Sequence, residues 1–147
     1  MNSKQEEVIC NQPFLRILVV DDFADWRHCV LEKLRENRSL QVVGVASDGL
    51  EAVLKAEELQ PDLILLDIGL PKLDGIETAR HIRKIAPRAK IVFLTQEIDR
   101  DVARAALDAG GHGYVVKSDA DGELFAALEA VILGKKFVSA RLADPAV

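Results

Sequence analysis

Asp62-Leu63-Ile64-Leu65-Leu66-Asp67 decides how this chain is read. Four branched apolar residues in a row, bounded by carboxylates, describe a strand covered on both faces, the habit of parallel sheets. Asp67 then falls at the carboxyl end of that strand, where open α/β sheets gather their ligand chemistry. The pattern recurs along the chain. Leu15-Arg16-Ile17-Leu18-Val19-Val20 runs into Asp21-Asp22, Ile91-Val92-Phe93-Leu94 into Thr95, and Tyr114-Val115-Val116 into Lys117.

Strands are expected at 15–20, 41–46, 62–67, 90–95 and 113–117, with helices near 24–37, 49–59, 75–86, 99–109 and 121–133. Five βα units in succession predict a five-stranded parallel sheet flanked by five helices, a doubly wound α/β fold. Asp48, Asp74 and Asp121 suit helix N-termini. Gly110 and Gly134 stand where helix C-termini need a left-handed residue, and Pro61 and Pro87 punctuate the entries to two strands. Residues 1–13 are polar, lack periodicity and read as a loose N-terminal extension. One domain is expected over 14–134. The remainder, 135–147, reads as a C-terminal linker without a sixth strand.

A chain of 147 residues with 49% hydrophobic and 29% charged content is large enough for one buried core. The net charge of −5 disfavours direct nucleic-acid binding by this chain. No apolar run approaches the ~20 residues that span a bilayer and no signal-peptide pattern opens the sequence, so a cytoplasmic protein without membrane contact is expected. Cys10 and Cys29 are too few and too far apart for a disulfide framework or metal cluster. His28, His81 and His112 have no partner at ligand spacing and read as structural or solvated.

The chemistry lies at the strand ends. Asp21, Asp22 and Asp67 converge if the first and third strands are neighbours. Two carboxylates about 4 Å apart repel by roughly 4 kcal/mol at an effective dielectric near 20, so three need a cation or raised pKa values. Mg²⁺ suits hard oxygens from few carboxylates, with room for waters and a phosphate oxygen. An ionised carboxylate is then a nucleophile toward phosphorus that needs no general base. Lys117 supplies a positive charge and Thr95 a hydroxyl for the other phosphoryl oxygens.

The acid pair Asp21-Asp22, the block Leu65-Leu66-Asp67-Ile68-Gly69-Leu70-Pro71-Lys72-Leu73-Asp74-Gly75, Thr95 and Gly113-Tyr114-Val115-Val116-Lys117 together resemble a response-regulator receiver domain of the CheY-like family. The resemblance covers 15–133 and implies a flavodoxin-like (βα)5 fold. It implies that Asp67 is the phosphoacceptor in a Mg²⁺-dependent reaction, with Asp22 a direct metal ligand, Asp21 a ligand through water, and the Gly69 carbonyl a third ligand. Thr95 and Tyr114 resemble the switch pair, and Lys117 the phosphate-binding lysine. The implied donor is a sensor histidine kinase or a phosphotransfer protein. The protein is then a phosphoacceptor that assists its own phosphorylation and dephosphorylation, not an enzyme.

Lys117-Ser118 and Gly134-Lys135-Lys136-Phe137-Val138-Ser139 resemble the NarL/FixJ branch. There a LuxR-type helix-turn-helix domain follows the receiver, which implies transcriptional control through a DNA-binding domain absent from this chain. The alternative is a lone receiver or a phosphorylation-independent scaffold, although a scaffold usually has an eroded acid set. Two positions depart from the family. Gln96 stands where a small residue usually leaves the acceptor open, and Gly69 lacks the side chain that often tunes hydrolysis. A haloacid-dehalogenase-type phosphatase needs a second acid where Gly69 stands, and a flavodoxin-like cofactor binder needs a phosphate loop where Asp21-Asp22-Phe23 would repel phosphate.

Trp26 lies one turn beyond Asp22, suited to core packing or to bordering the site. In the last helix, Leu124, Phe125, Leu128, Val131 and Ile132 form the core stripe. Ala126, Ala127, Ala130 and Leu133, with Val102, Ala103, Ala105 and Ala106 of the preceding helix and Tyr114 between them, suggest a homodimer face on the last two helices and final strand; the alanines of the last helix equally suit high helix propensity.

Overall fold

The structure, a computed structural model, describes residues 14–143. The expected N-terminal extension, Cys10 and the last four residues lie outside them. Six parallel strands form one sheet in the order β2-β1-β3-β4-β5-β6. They are β1 (Leu15–Val20), β2 (Leu40–Ala46), β3 (Leu63–Leu66), β4 (Lys90–Thr95), β5 (Gly113–Val116) and the short β6 (Phe137–Val138). Between them run α1 (Ala24–Arg35), α2 (Gly49–Leu59), α3 (Gly75–Ile85), α4 (Arg100–Asp108) and α5 (Ala120–Ile132). Among the described residues no helix is long and apolar enough to cross a membrane.

The buried strands divide their side chains between two cores, because successive residues of a strand point to opposite faces. Ile17, Val19, Leu63, Leu65, Val92, Leu94 and Val115 pack against Val30 and Leu34 of α1 and Leu124, Leu128 and Val131 of α5. Leu18, Val20, Ile64, Leu66, Ile91, Phe93, Tyr114 and Val116 pack against Ala52, Ala56, Ala79, Ile82, Ala103 and Ala106 of α2, α3 and α4. Each fully buried aliphatic or aromatic side chain contributes roughly 1.5–3 kcal/mol. Small alanines on the helices let them approach the bulky strands closely.

Helix ends follow local chemistry. Asp48 and Asp74 accept hydrogen bonds from the amides of Glu51 and Glu77, as expected of N-caps. Gly110 and Gly134 both adopt positive φ. Asp121 is not a cap: α5 starts at Ala120, and the Asp121 carboxylate pairs with Lys33 across to α1 at 2.9 Å. Asp99 caps α4 instead, accepting from Asp101 and Val102.

Two surface expectations change. Ala103, Ala106, Ala127 and Tyr114 are buried and cannot line a dimer face, whereas Ile132, expected in the core, is exposed. What remains outward of the expected face is Ala126 and Leu133, with the half-buried Ala130, Val102 and Ala105.

The segment expected to be a linker enters the sheet. Phe137 and Val138 pair with Gly113 and Tyr114. Two residues are too few to leave a periodic signal, and side chains distant in sequence secure them. Ser139, fully buried, accepts the Val116 amide at 2.8 Å and donates to Glu123 Oε1 at 2.6 Å. Arg141 adds a bidentate pair with Asp119, donating at 2.7 and 2.8 Å. Replacing Ser139 by alanine strands a buried amide, so S139A should lose about 1–3 kcal/mol of stability. Urea unfolding should show a lower midpoint with an unchanged slope.

Candidate functional site

Register brings the acids together. Val20 stands opposite Leu66 in the parallel β1–β3 pair, and the Asp67 amide donates to the Val20 carbonyl at 3.1 Å. Asp21 and Asp67 therefore leave adjacent strands side by side. Both continue the alternation that faces α1 and α5, and Lys117, two residues after Val115, does the same from β5. One carboxylate oxygen from each of Asp21, Asp22 and Asp67 lies within 4.8 Å of the others.

Lys117 sits between two of these acids. Its Nζ is 2.7 Å from Asp21 Oδ2 and 3.2 Å from Asp67 Oδ2. The three side chains are nearly enclosed: Asp21, Asp67 and Lys117 expose 3%, 8% and 9% of their surface. Asp22, by contrast, is exposed. Backbone amides orient the two buried carboxylates. Phe23 N–H donates to Asp21 Oδ1 at 2.9 Å, and Ile68 N–H to Asp67 Oδ1 at 2.8 Å. Burial pushes the Asp21 carboxyl above its usual range, and the hydrogen bonds from Lys117 and Phe23 oppose that push.

Thr95 and Tyr114 belong to the other face of the sheet, continuing the parity of Phe93 and Val116. They meet at one residue absent from the sequence reading. The Glu97 amide donates to Thr95 Oγ1 at 3.2 Å, and the Tyr114 hydroxyl donates to the Glu97 carbonyl at 2.9 Å. Glu97 acts here through its backbone, so its side-chain identity carries no sequence signal. Burial, with the Glu97 carboxylate next in weight, pushes the Tyr114 phenol far up, keeping the hydroxyl a donor.

Asp22, Phe23, Asp67, Ile68, Gly69, Thr95, Gln96, Glu97 and Lys117 line one open cleft of about 480 Å³. Gln96 is exposed at its rim. A side chain at Gly69 would meet nothing within 4 Å, so that edge is open. Gly75 is different: a Cβ there would come 2.0 Å from the Asp67 carbonyl, which makes glycine obligatory where the loop after Asp67 turns into α3. A larger groove of about 550 Å³ opens at the other end of the sheet, near Phe14, Leu40 and Leu133. It has no comparable acid set: among the described residues, the only three-residue metal-ligand grouping is Asp21, Asp22 and Asp67.

The arrangement has three hard oxygen donors, a buried ammonium and a hydroxyl around an open cleft. It fits a small divalent cation together with a phosphoryl group. The family described as "Response regulator receiver domain" matches residues 17–129. This chain belongs to that family. The receiver domain is the phosphorylation-regulated module of two-component response regulators, and the parallel fold above is its CheY-like architecture.

Response regulator GacA of Pseudomonas viridiflava is 34% identical over 130 residues, 88% of this chain and 61% of that protein. Response regulator protein VraR of Staphylococcus aureus strain NCTC 8325 / PS 47 is 38% identical over 104 residues, 71% of this chain and 50% of VraR. The chain thus spans about half to three fifths of the curated relatives it matches. Among solved structures, a LuxR-family two-component response regulator from Aurantimonas sp. SI85-9A1 superposes with TM-score 0.85 at 35% identity, covering 88% of this chain and 93% of that one. The isolated receiver domain of RcsB from Salmonella enterica serovar Typhimurium, with a beryllofluoride phosphomimetic, gives TM-score 0.82 at 26% identity over 88% and 96%.

Among the described residues, no histidine joins the Asp21, Asp22 and Asp67 grouping. His112 Nδ1 accepts the Ile91 amide at 3.1 Å, while burial and nearby Lys90, Arg83 and Lys136 hold its imidazole below the ordinary range.

The Lys117 pairing makes stability pH-dependent in a defined direction. Removing the ammonium takes away hydrogen-bond and Coulombic help to ionised Asp21, so its folded pKa rises further above the unfolded value of about 3.9. Stability from a raised acid is present below its unfolded pKa and lost as pH rises through the folded one. K117M should therefore lose about 3 kcal/mol near pH 8 and less near pH 4.5, relative to wild type. Thermal unfolding in chelator at the two pH values measures the difference.

Proposed function

We propose that this chain is a cytoplasmic two-component switch whose phosphoacceptor is Asp67. The observation that carries this reading is the Lys117 ammonium between Asp21 and Asp67, in a cleft that Thr95 also lines. A carboxylate oxygen of Asp67 attacks phosphorus, and the donor's bond to phosphorus breaks with its electron pair leaving on the donor. With a phosphohistidine of a sensor histidine kinase or phosphotransfer protein, the P–N bond breaks and the departing imidazole takes up a proton. Asp67 loses no proton, so the site needs no base. The chain is an acceptor that assists its own chemistry, not an enzyme acting on a separate substrate.

Lys117 turns from Asp21 toward a phosphoryl oxygen, and the Thr95 hydroxyl donates to another. Asp22 and Asp67, the Gly69 carbonyl, and Asp21 through water would hold Mg²⁺, which when bound neutralises the acids and the phosphoryl charge. Exposed Gln96 governs access, while Gly69 leaves its edge uncovered. As Thr95 turns to the phosphoryl group, its bond to Glu97 is released, and the Tyr114 contact to the same residue carries the change along β5. Nearly complete switching needs a differential of about 5.5 kcal/mol between the two states.

The output we infer is transcriptional, through a LuxR-type helix-turn-helix domain beyond this receiver. The greater length of the matched relatives and the LuxR-family structural neighbour support that. RcsB is a receiver relative that assembles as dimers on DNA. A homodimer of this chain would use Ala126, Ala130 and Leu133 of α5 with Val102 and Ala105 of α4. The scaffold reading has the intact acid set against it.

A small acyl phosphate with Mg²⁺ should add one phosphoryl group to wild type, visible by intact mass. Chelator should prevent the addition, D67N should take none, and Q96A should be labelled at an altered rate. Equal labelling of wild type and D67N would move the acceptor elsewhere.

Self-association should change with occupancy, by a coupling of about 1–3 kcal/mol. Sedimentation with and without beryllofluoride reads it as a shifted monomer–dimer constant. An unchanged constant at full occupancy removes this face from the mechanism.

A further inference from the structure

We propose that Trp26 positions the Lys117 ammonium for transfer to Asp67, an inference that rests on Asp67 being the acceptor. Trp26 lies on α1, one turn past Asp22, and its ring centroid is 5.3 Å from Lys117 Nζ. That is within the range over which the negative face of an indole attracts a cation, and the attraction grows when water is excluded. Water is partly excluded here, since Lys117 is nine-tenths buried and Trp26 half-buried. Trp26, Val30, Ala120 and Leu124 join Lys117 around a narrow groove of about 220 Å³ between α1 and α5. The ammonium therefore has an aromatic wall as well as its two carboxylates.

The indole N–H of Trp26 is buried without a hydrogen-bond partner. A buried tryptophan ordinarily finds one for its N–H. This ring is thus held by its packing and its face, not by its polar edge, and the cation on that face is Lys117. The two carboxylates hold the lysine unequally, Asp21 at 2.7 Å and Asp67 at 3.2 Å. Phosphoryl transfer requires the ammonium to leave the nearer acid and follow charge building on the phosphoryl oxygens. Attraction to the indole face does not depend on which carboxylate is ionised or phosphorylated. It steadies the ammonium during that exchange, where a leucine would fill the groove and let the lysine settle on Asp21.

Trp26 is the single tryptophan of the chain. The test compares the wild-type chain with W26F and W26L. Labelling of Asp67 by acyl phosphate and Mg²⁺ should be about tenfold slower in W26L, the rate equivalent of a partly desolvated cation–π contact. W26F should retain most of the rate, with Mg²⁺ affinity by calorimetry equal in all three. Independently, the Lys117 ε-methylene protons should be shifted upfield by the ring in wild type and W26F, and released in W26L. Equal rates in W26L and wild type, or equal losses in W26F and W26L that track their unfolding midpoints, overturn the positioning role alone. A wild-type chain that takes no phosphoryl group overturns the acceptor reading and this inference with it.

Discussion

Side chains alternate along a strand, and in a parallel sheet of fixed register that alternation runs unbroken from core to site. Val19, Leu65 and Val115 all face α1 and α5. Two residues further along the chain from each come Asp21, Asp67 and Lys117. Their meeting is the continuation of a packing pattern already secured by the hydrophobic core. A one-residue slip in any of these strands would send its apolar set to the wrong face and scatter the charges with it. The same bookkeeping sends Thr95 and Tyr114 to the opposite face, with Phe93 and Val116. The sheet thus separates a charged group of residues on one side from a hydroxyl pair on the other.

The charged side works against stability. Burying Asp21 raises the energy of its ionised form, and the neighbouring Asp67 charge adds to that push. A buried ion pair offsets part of this, though well-packed apolar residues would often serve stability better. In the reaction we propose, the same arrangement has a chemical use. An ammonium shared by two acids at unequal distances is poised to change partners, and an exposed Asp22 beside them is open to a cation. The loop after Asp67 is correspondingly constrained. Only glycine at position 75 lets the backbone pass so close to the Asp67 carbonyl.

Much of this was legible in the sequence because it depends on local pattern. The apolar runs of β1, β3, β4 and β5 end in Asp21, Asp67, Thr95 and Lys117; each alone reads as an ordinary strand end, and the four together carry the signal. Caps at Asp48 and Asp74 were legible because an acid before a helix has one dominant local use. Asp121 was misread because a carboxylate in a first turn can equally pair across helices, and Lys33 was not visible as its partner. The sixth strand was illegible for a similar reason. Its two residues carry no period, and its fastening runs through Ser139 to Val116 and Glu123. The buried alanines of α4 and α5 show a further limit: small apolar residues suit a close-packed core and a smooth surface equally, so composition cannot choose between them.

β5 joins these separate features. In four residues it presents Tyr114 to the loop at Glu97 on one face, and it hands the chain on to Lys117 on the other. Its remaining backbone groups hold the tail: the Tyr114 carbonyl accepts from Ser139 N–H, and the Val116 amide donates to Ser139 Oγ. Among the described residues, β5 alone leads into Lys117, carries Tyr114 and pairs with the C-terminal segment. A short strand with fully buried side chains has little freedom to deform, because a packed interior transmits displacement more readily than it absorbs it. Lys117 at one end of β5, the packed Tyr114 and the seat of Ser139 therefore all lie within a few residues of one stiff strand.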